Sequence, residues 1–114
     1  MSESLQSRPA PVFDTAHLAQ YTGGDSALEA ELAGLLREQA DRCLAAMEAA
    51  EDPVAWKAAA HTLKGAARGV GAFALGEACQ RAEEAGPVSW PAACADVRRA
   101  CEDAFAAIEA TLNA

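Results

Sequence analysis

Pro53-Val54-Ala55-Trp56-Lys57-Ala58-Ala59-Ala60-His61-Thr62-Leu63-Lys64-Gly65-Ala66-Ala67-Arg68 reads as an amphipathic helix with one residue that helices disfavour. Asp52 precedes it as an N-cap, and Pro53 takes the first helical position, where the missing N–H is an orphan anyway. Setting His61 at zero on a wheel of ~100° per residue, Trp56, Ala59, Leu63, Ala66, Ala67 and Val70 fall within about 60° of the opposite side. That side is the core face, so His61 points away from the core. Around it lie Val54, Lys57, Ala58, Lys64, Gly65 and Arg68, and the chain's only two lysines are among them. Gly65 is the disfavoured residue, because a mid-helix glycine is roughly 0.5–1 kcal/mol worse than alanine. In a chain with 31 alanines, alanine was readily available. The spacing therefore points to a place beside His61 that must stay sterically empty, as it would if another protein came very close.

Working outward, Asp14 opens a short amphipathic segment to Thr22, closed by Gly23-Gly24. Asp25 and Ser26 then offer N-caps, and Ser26 with Glu29 has capping-box spacing. The long helix that follows, to about Ala50, carries Leu28, Leu32, Leu35, Leu36, Cys43 and Met47 at helical period. The His61 helix is expected to run to about Arg68 and to be broken by Gly69-Val70-Gly71. A fourth, about Ala72 to Ala85, buries Phe73, Leu75, Cys79 and Ala82 and stops at Gly86-Pro87. Ser89-Trp90-Pro91 starts the last helix, with Cys94, Val97, Cys101, Phe105, Ile108 and Leu112 on one side. Long helices with short connections make antiparallel neighbours. The expected fold is all-α: an antiparallel up-down four-helix bundle over residues 13–114 with a short additional N-terminal helix. Residues 1–12, with Pro9 and Pro11, read as a disordered tail.

Composition fits one small helical domain. Apolar residues make up 52% but aromatics only 5%, so Ala and Leu must build the core. A formal net charge of −8, from 9 basic and 17 acidic residues, argues against nucleic-acid binding. No apolar run approaches the ~20 residues of a membrane span, and Met1–Pro11 has neither the basic start nor the apolar stretch of a secretory signal. A cytoplasmic protein is expected. Cys43, Cys79, Cys94 and Cys101 form no C-x-x-C pair and read as reduced thiols packed in the core rather than zinc ligands or disulfides. His17 reads as an ordinary surface residue.

The His61 face suits phosphate chemistry. A neutral imidazole is a competent nucleophile near pH 7, its unperturbed pKa being ~6.5, and its phosphoramidate is labile enough to pass the group on. The phosphoryl oxygens need cationic company, which Lys64 one turn away can give. The sequence offers no P-loop, no Mg²⁺ carboxylate cluster and no second acid–base partner, so the catalytic parts must come from a partner. A carrier without kinase activity fits better than an enzyme.

His61-Thr62-Leu63-Lys64-Gly65, followed by Ala66-Ala67, Gly71, Leu75, Cys79 and Glu83, resembles the histidine-containing phosphotransfer (HPt) domain family, over about residues 13–112. Gly23-Gly24-Asp25 before the long helix looks like that family's start. The resemblance implies that His61 is phosphorylated, that Lys64 lies near the phosphoryl group, and that Gly65 leaves room for the partner's active site. Lys57, Ala58 and Arg68 would then flank the docking surface. The implied partners are response-regulator receiver domains, which bring the acceptor Asp and Mg²⁺, and a hybrid histidine kinase. The protein would need no cofactor of its own and would act as a monomer in a multistep phosphorelay. The phosphotransfer piece of a chemotaxis kinase shares the motif, but the tail and compact ending here read as a free-standing protein. The dimerising domains of ordinary sensor kinases place an acidic residue after the histidine and a proline further on, where this chain has Thr62 and Ala66-Ala67. An adaptor that binds a receiver through the same face without carrying phosphate is the alternative. High alanine content hints at a bacterial source.

Overall fold

A computed structural model describes residues 10–113, and these form five α-helices: α1 (Thr15–Thr22), α2 (Ser26–Ala49), α3 (Pro53–Val70), α4 (Phe73–Glu84) and α5 (Trp90–Leu112), the last entered through a 3₁₀ turn, Pro87–Ser89. Each of the four longer helices packs on the next, and α5 returns to α2 to close the ring. Cross-helix partners run in opposite order along two of these pairs. Trp56 meets Ala82 and Lys64 meets Gln80 between α3 and α4, while Arg98 meets Glu48 and Arg37 meets Phe105 between α5 and α2. These two pairs are antiparallel, and the all-α bundle class agrees with the expectation. No helix among the described residues is long and apolar enough to cross a membrane.

The helix starts follow local chemistry. Asp14, Asp25 and Asp52 each accept backbone N–H bonds as N-caps of α1, α2 and α3. At α2 the aspartate takes the cap and the Ser26–Glu29 box does not form. Glu29 instead accepts a hydrogen bond from Thr22 Oγ1 at 2.8 Å. Helix α3 runs two residues beyond the expected stop at Arg68. Gly69 is tolerated inside it, Val70 packs against the core, and only Gly71, left-handed at φ 90°, ends it. There the N–H of Ala72 reaches Ala67 O and that of Gly71 reaches Arg68 O, closing a Schellman motif.

The core is built from small residues with a few large anchors. Trp56, Leu63, Leu75, Val97 and Met47 are the largest fully buried side chains, and Ala60, Ala67, Ala78, Ala82 and Ala104 are wholly inaccessible. Trp56 donates its indole N–H to Ala82 O at 2.7 Å and stacks on Trp90 at 4.7 Å, which locks the α3–α4–α5 corner. All four cysteines are free and buried. Burial, with neighbouring thiols adding to it, pushes Cys79 up to about 12, and burial pushes Cys101 up to about 11, so both stay protonated and packed as small hydrophobes.

Two expectations are corrected. Leu35 is 52% exposed; adjacent residues point ~100° apart, and Leu36 takes the core position. His17 is half-buried, its ring edge-on to Tyr21 and Phe73, because α1 folds back onto the α3–α4 corner. Ahead of α1, Pro11 O accepts from Ala74 N at 2.8 Å and Gly71 O accepts from Asp14 N at 2.9 Å, so the segment entering α1 is tied to the start of α4. Most of the expected tail over residues 1–12, namely residues 1–9, lies outside the described residues.

Two glycines separate the roles that glycine can play. A Cβ on Gly71 would sit 2.8 Å from Asp14 O, at a backbone angle L-residues avoid, whereas one on Gly69 meets nothing within 4 Å. Gly71→Ala is expected to lower stability by about 1–3 kcal/mol, and Gly69→Ala to raise it by roughly 0.5–1 kcal/mol. Urea unfolding followed by helical circular dichroism measures both, and equal midpoints for the two variants would refute the distinction.

Candidate functional site

Helix α3 turns Trp56, Ala59, Ala60, Leu63 and Ala67 into the core, and this fixes the direction of everything else on it. His61 stands on the opposite side with its side chain 71% exposed. Lys57, Ala58, Gly65 and Arg68 are exposed around it. The two flanks of His61 differ. On one, Ala58, Gly65 and Gly69 leave the surface low, and a Cβ on Gly65 would meet nothing within 4 Å. No contact within the fold therefore requires glycine at 65, and the space it leaves opens outward. On the other flank lie the cations and, beyond them, helix α4.

Lys64 is not a free surface cation. Its side chain is only 12% exposed, and its ammonium donates to Gln80 Oε1 at 2.9 Å while pairing with Glu83 Oε1. Gln80 in turn donates to Glu84 Oε2 at 3.0 Å. The same Glu83 oxygen lies 3.4 Å from His61 Nδ1. One carboxylate oxygen thus faces both the imidazole and the lysine. Burial works to raise the Glu83 pKa, but the Lys64 ammonium, with His61 adding to it, outweighs burial and holds the carboxyl below its ordinary value. Arg68 lays its aliphatic stem over Gly76, where a Cβ would come within 2.9 Å of it, and its guanidinium reaches Glu77 at 3.9 Å. Lys57 stands one turn before His61, at the outer edge of the patch.

The structure therefore gathers His61, Lys64, Lys57, Ala58, Gly65 and Arg68 on one face, as the wheel arranged them. Sequence reasoning assigned no role to Gln80 or Glu83. Glu83 stands in the pattern that carries the family resemblance, and the polar spacing Gln80, Glu83, Glu84 on one side of α4 becomes meaningful once α4 is known to lie beside Lys64. Chemically the face offers an accessible imidazole, a positioned ammonium and a clear approach. Among the described residues no group of three or more His, Cys, Asp or Glu side chains could hold a metal ion.

The Glu83–Lys64 pair makes stability depend on pH with a definite sign. Glu83 has a lowered pKa in the folded state, so its contribution is present above the unfolded carboxyl value of 4.5 and is lost as pH falls through the lower, folded value. Glu83→Gln should therefore flatten the acid limb of the stability profile relative to wild type. Urea titrations between about pH 6 and pH 2 test this, and superimposable profiles would rule out the pair as a source of acid sensitivity.

One family model, that of the Hpt domain, matches residues 31–111. No curated protein and no solved structure matches the chain.

Proposed function

This chain belongs to the Hpt domain family, whose members transfer phosphoryl groups through a histidine in two-component phosphorelays, and we propose that His61 is the residue that carries the group here. The observation that carries this reading is the pairing of an imidazole 71% exposed with an ammonium 12% exposed one turn away. A carrier needs its nucleophile accessible to two successive partners and its countercharge held in place between visits. Lys64, fastened to α4, sits where it can neutralise phosphoryl oxygens on His61. The open space over Gly65 supports docking of a receiver domain close enough for in-line transfer, with Lys57, Ala58 and Arg68 at the edge of the contact. The receiver brings the phospho-acceptor aspartate and Mg²⁺, and a hybrid histidine kinase supplies the relay. The protein itself acts as a monomeric, cytoplasmic carrier without kinase activity, in a bacterial setting.

Incubation with a radiolabelled phospho-receiver domain tests the assignment. Label is expected on wild type, stable to alkali and lost in acid, and absent from His61→Gln. A well-folded wild type that takes no label from a panel of receivers yet binds them would favour the adaptor reading. Lys64→Ala should slow transfer by on the order of tenfold, since a charge-assisted hydrogen bond contributes about 1.5–3 kcal/mol. Gly65→Gln should leave the helix slightly more stable and abolish transfer by filling the approach. Normal transfer in that variant would remove the steric explanation for the glycine.

A further inference from the structure

Between the last turns of α2 and the first turns of α5 the bundle opens into a cleft of about 560 Å³, a size typical of small-molecule sites, which bundles place between helices. The buried side chains of Met47, Trp56 and Cys94 form its base. Ala50 stands on the α2 side, and Trp90, Pro91 and Ala95 on the α5 side. Trp56 and Trp90 stack with their rings 8° from parallel. Both indole N–H groups are spent inside the protein, on Ala82 O and Ala85 O, so the two rings offer the cleft only carbon. Burial, with the Glu48 carboxylate adding to it, pushes the Cys94 thiol up against the opposing pull of Arg98, and the base carries no charge. Among the lining residues charge enters only at Glu48 and Arg98, which pair from the α2 wall to the α5 wall at 3.2 Å, both about half exposed.

We infer that this cleft binds a small uncharged aromatic molecule of one or two fused rings, its rings among Trp56, Trp90 and Met47 and its polar edge toward the Glu48–Arg98 pair. The lining selects that class. An indole stack favours a further ring, in offset or edge-to-face contact, and the Met47 thioether adapts to ring edges. Net charge on the ligand is disfavoured because the rim is already balanced. An anion drawn to Arg98 meets Glu48 beside it, and a cation drawn to Glu48 meets Arg98. A neutral acceptor suits the rim, since a guanidinium fork has five N–H donors and the Glu48 pair engages Arg98 through one terminal nitrogen. Small residues keep the space open: Ala50, Cys94 and Ala95 stand where a leucine would fill it. None of the lining residues belongs to the His61 face, so a bound ring leaves the imidazole free for its partners.

The test is titration of the ¹⁵N-labelled protein with indole, an uncharged two-ring probe, read at the side-chain N–H signals of Trp56 and Trp90, the chain's only tryptophans. Both signals should move saturably, half-complete at roughly 0.1–1 mM for a molecule of this size. Tryptamine and indole-3-acetate, which add a positive or a negative charge, should bind about three- to tenfold more weakly. Cyclohexylmethanol, of similar bulk but without a π face, should be weaker by about two- to tenfold. Ala95→Phe fills the cleft from an exposed position and should abolish saturable binding. Ala110→Phe, exposed on the same helix away from the cleft, should leave it intact. Glu48→Gln unbalances the rim and should turn the preference toward indole-3-acetate. Shifts that grow without saturating, or that survive Ala95→Phe, would overturn the site. Equal binding of indole, tryptamine and indole-3-acetate would overturn the uncharged class. His61→Gln should bind indole as wild type does, so the result stands apart from the fate of the carrier reading.

Discussion

The close packing of α3 on α4 is the constraint from which the site follows. Ala60 and Ala67 on one helix, and Leu75, Ala78, Cys79 and Ala82 on the other, are completely inaccessible. Gly76 is buried beneath the stem of Arg68. The distance between two helix axes is set by the side chains at their contact, and alanines and glycine let this pair come near. Polar residues flanking such an interface are then within a side chain's length of each other, which is why Lys64 reaches both Gln80 and Glu83. The Trp56 bond to Ala82 O holds one end of the pair. At the other end, the Gly71 turn and the strapping of Pro11 and Asp14 onto residues 71–74 hold it in register.

A second consequence is electrostatic. A lysine with only an eighth of its side chain in water needs a partner, since a buried unpaired charge is strongly disfavoured. Glu83 supplies the charge and Gln80 a neutral acceptor. The result is a cation fixed in position but nearly neutralised, beside an exposed imidazole, in a protein of net charge −8. Lys57 and Arg68 keep the rim of the same face positive. The face thus combines a positive rim with a balanced centre, so an arriving anion can draw on Lys64 without requiring a free buried ammonium in its absence.

Much of this arrangement was legible before any coordinates. The 3.6-residue period of α3 divides its core residues from His61, Lys57, Lys64 and Arg68, and Gly65 stands out because an alanine-rich chain used glycine where helices disfavour it. Bundle class followed from the short connections. The parts that were not legible are those decided by neighbours in space. Whether Asp25 or Ser26 caps α2 turned on which side chain reached Ala27 N and Leu28 N. Leu35 and Leu36 compete for one core position, and the sequence does not rank them. His17 is covered only because α1 folds onto the Gly71 corner. Gln80 and Glu83 lie on a separate helix, 16 and 19 positions after Lys64, and no periodicity within one helix connects them to His61.

The three glycines of α3 and its cap make a last point about reading function from backbone chemistry. Gly71 is required by the fold, through its left-handed turn and the approach of Asp14. Gly65 and Gly69 are required by nothing inside it, since a Cβ at either would face open space. A residue that lowers helix stability and has no internal purpose must be explained from outside the molecule. Gly65 lies one turn from His61, and Gly69 one turn further on, so the unoccupied strip runs alongside the imidazole on the flank opposite Lys64. On the reading proposed above, the division of labour is geometric: α4 supplies charge from one side of His61, and the missing side chains of α3 admit the partner from the other.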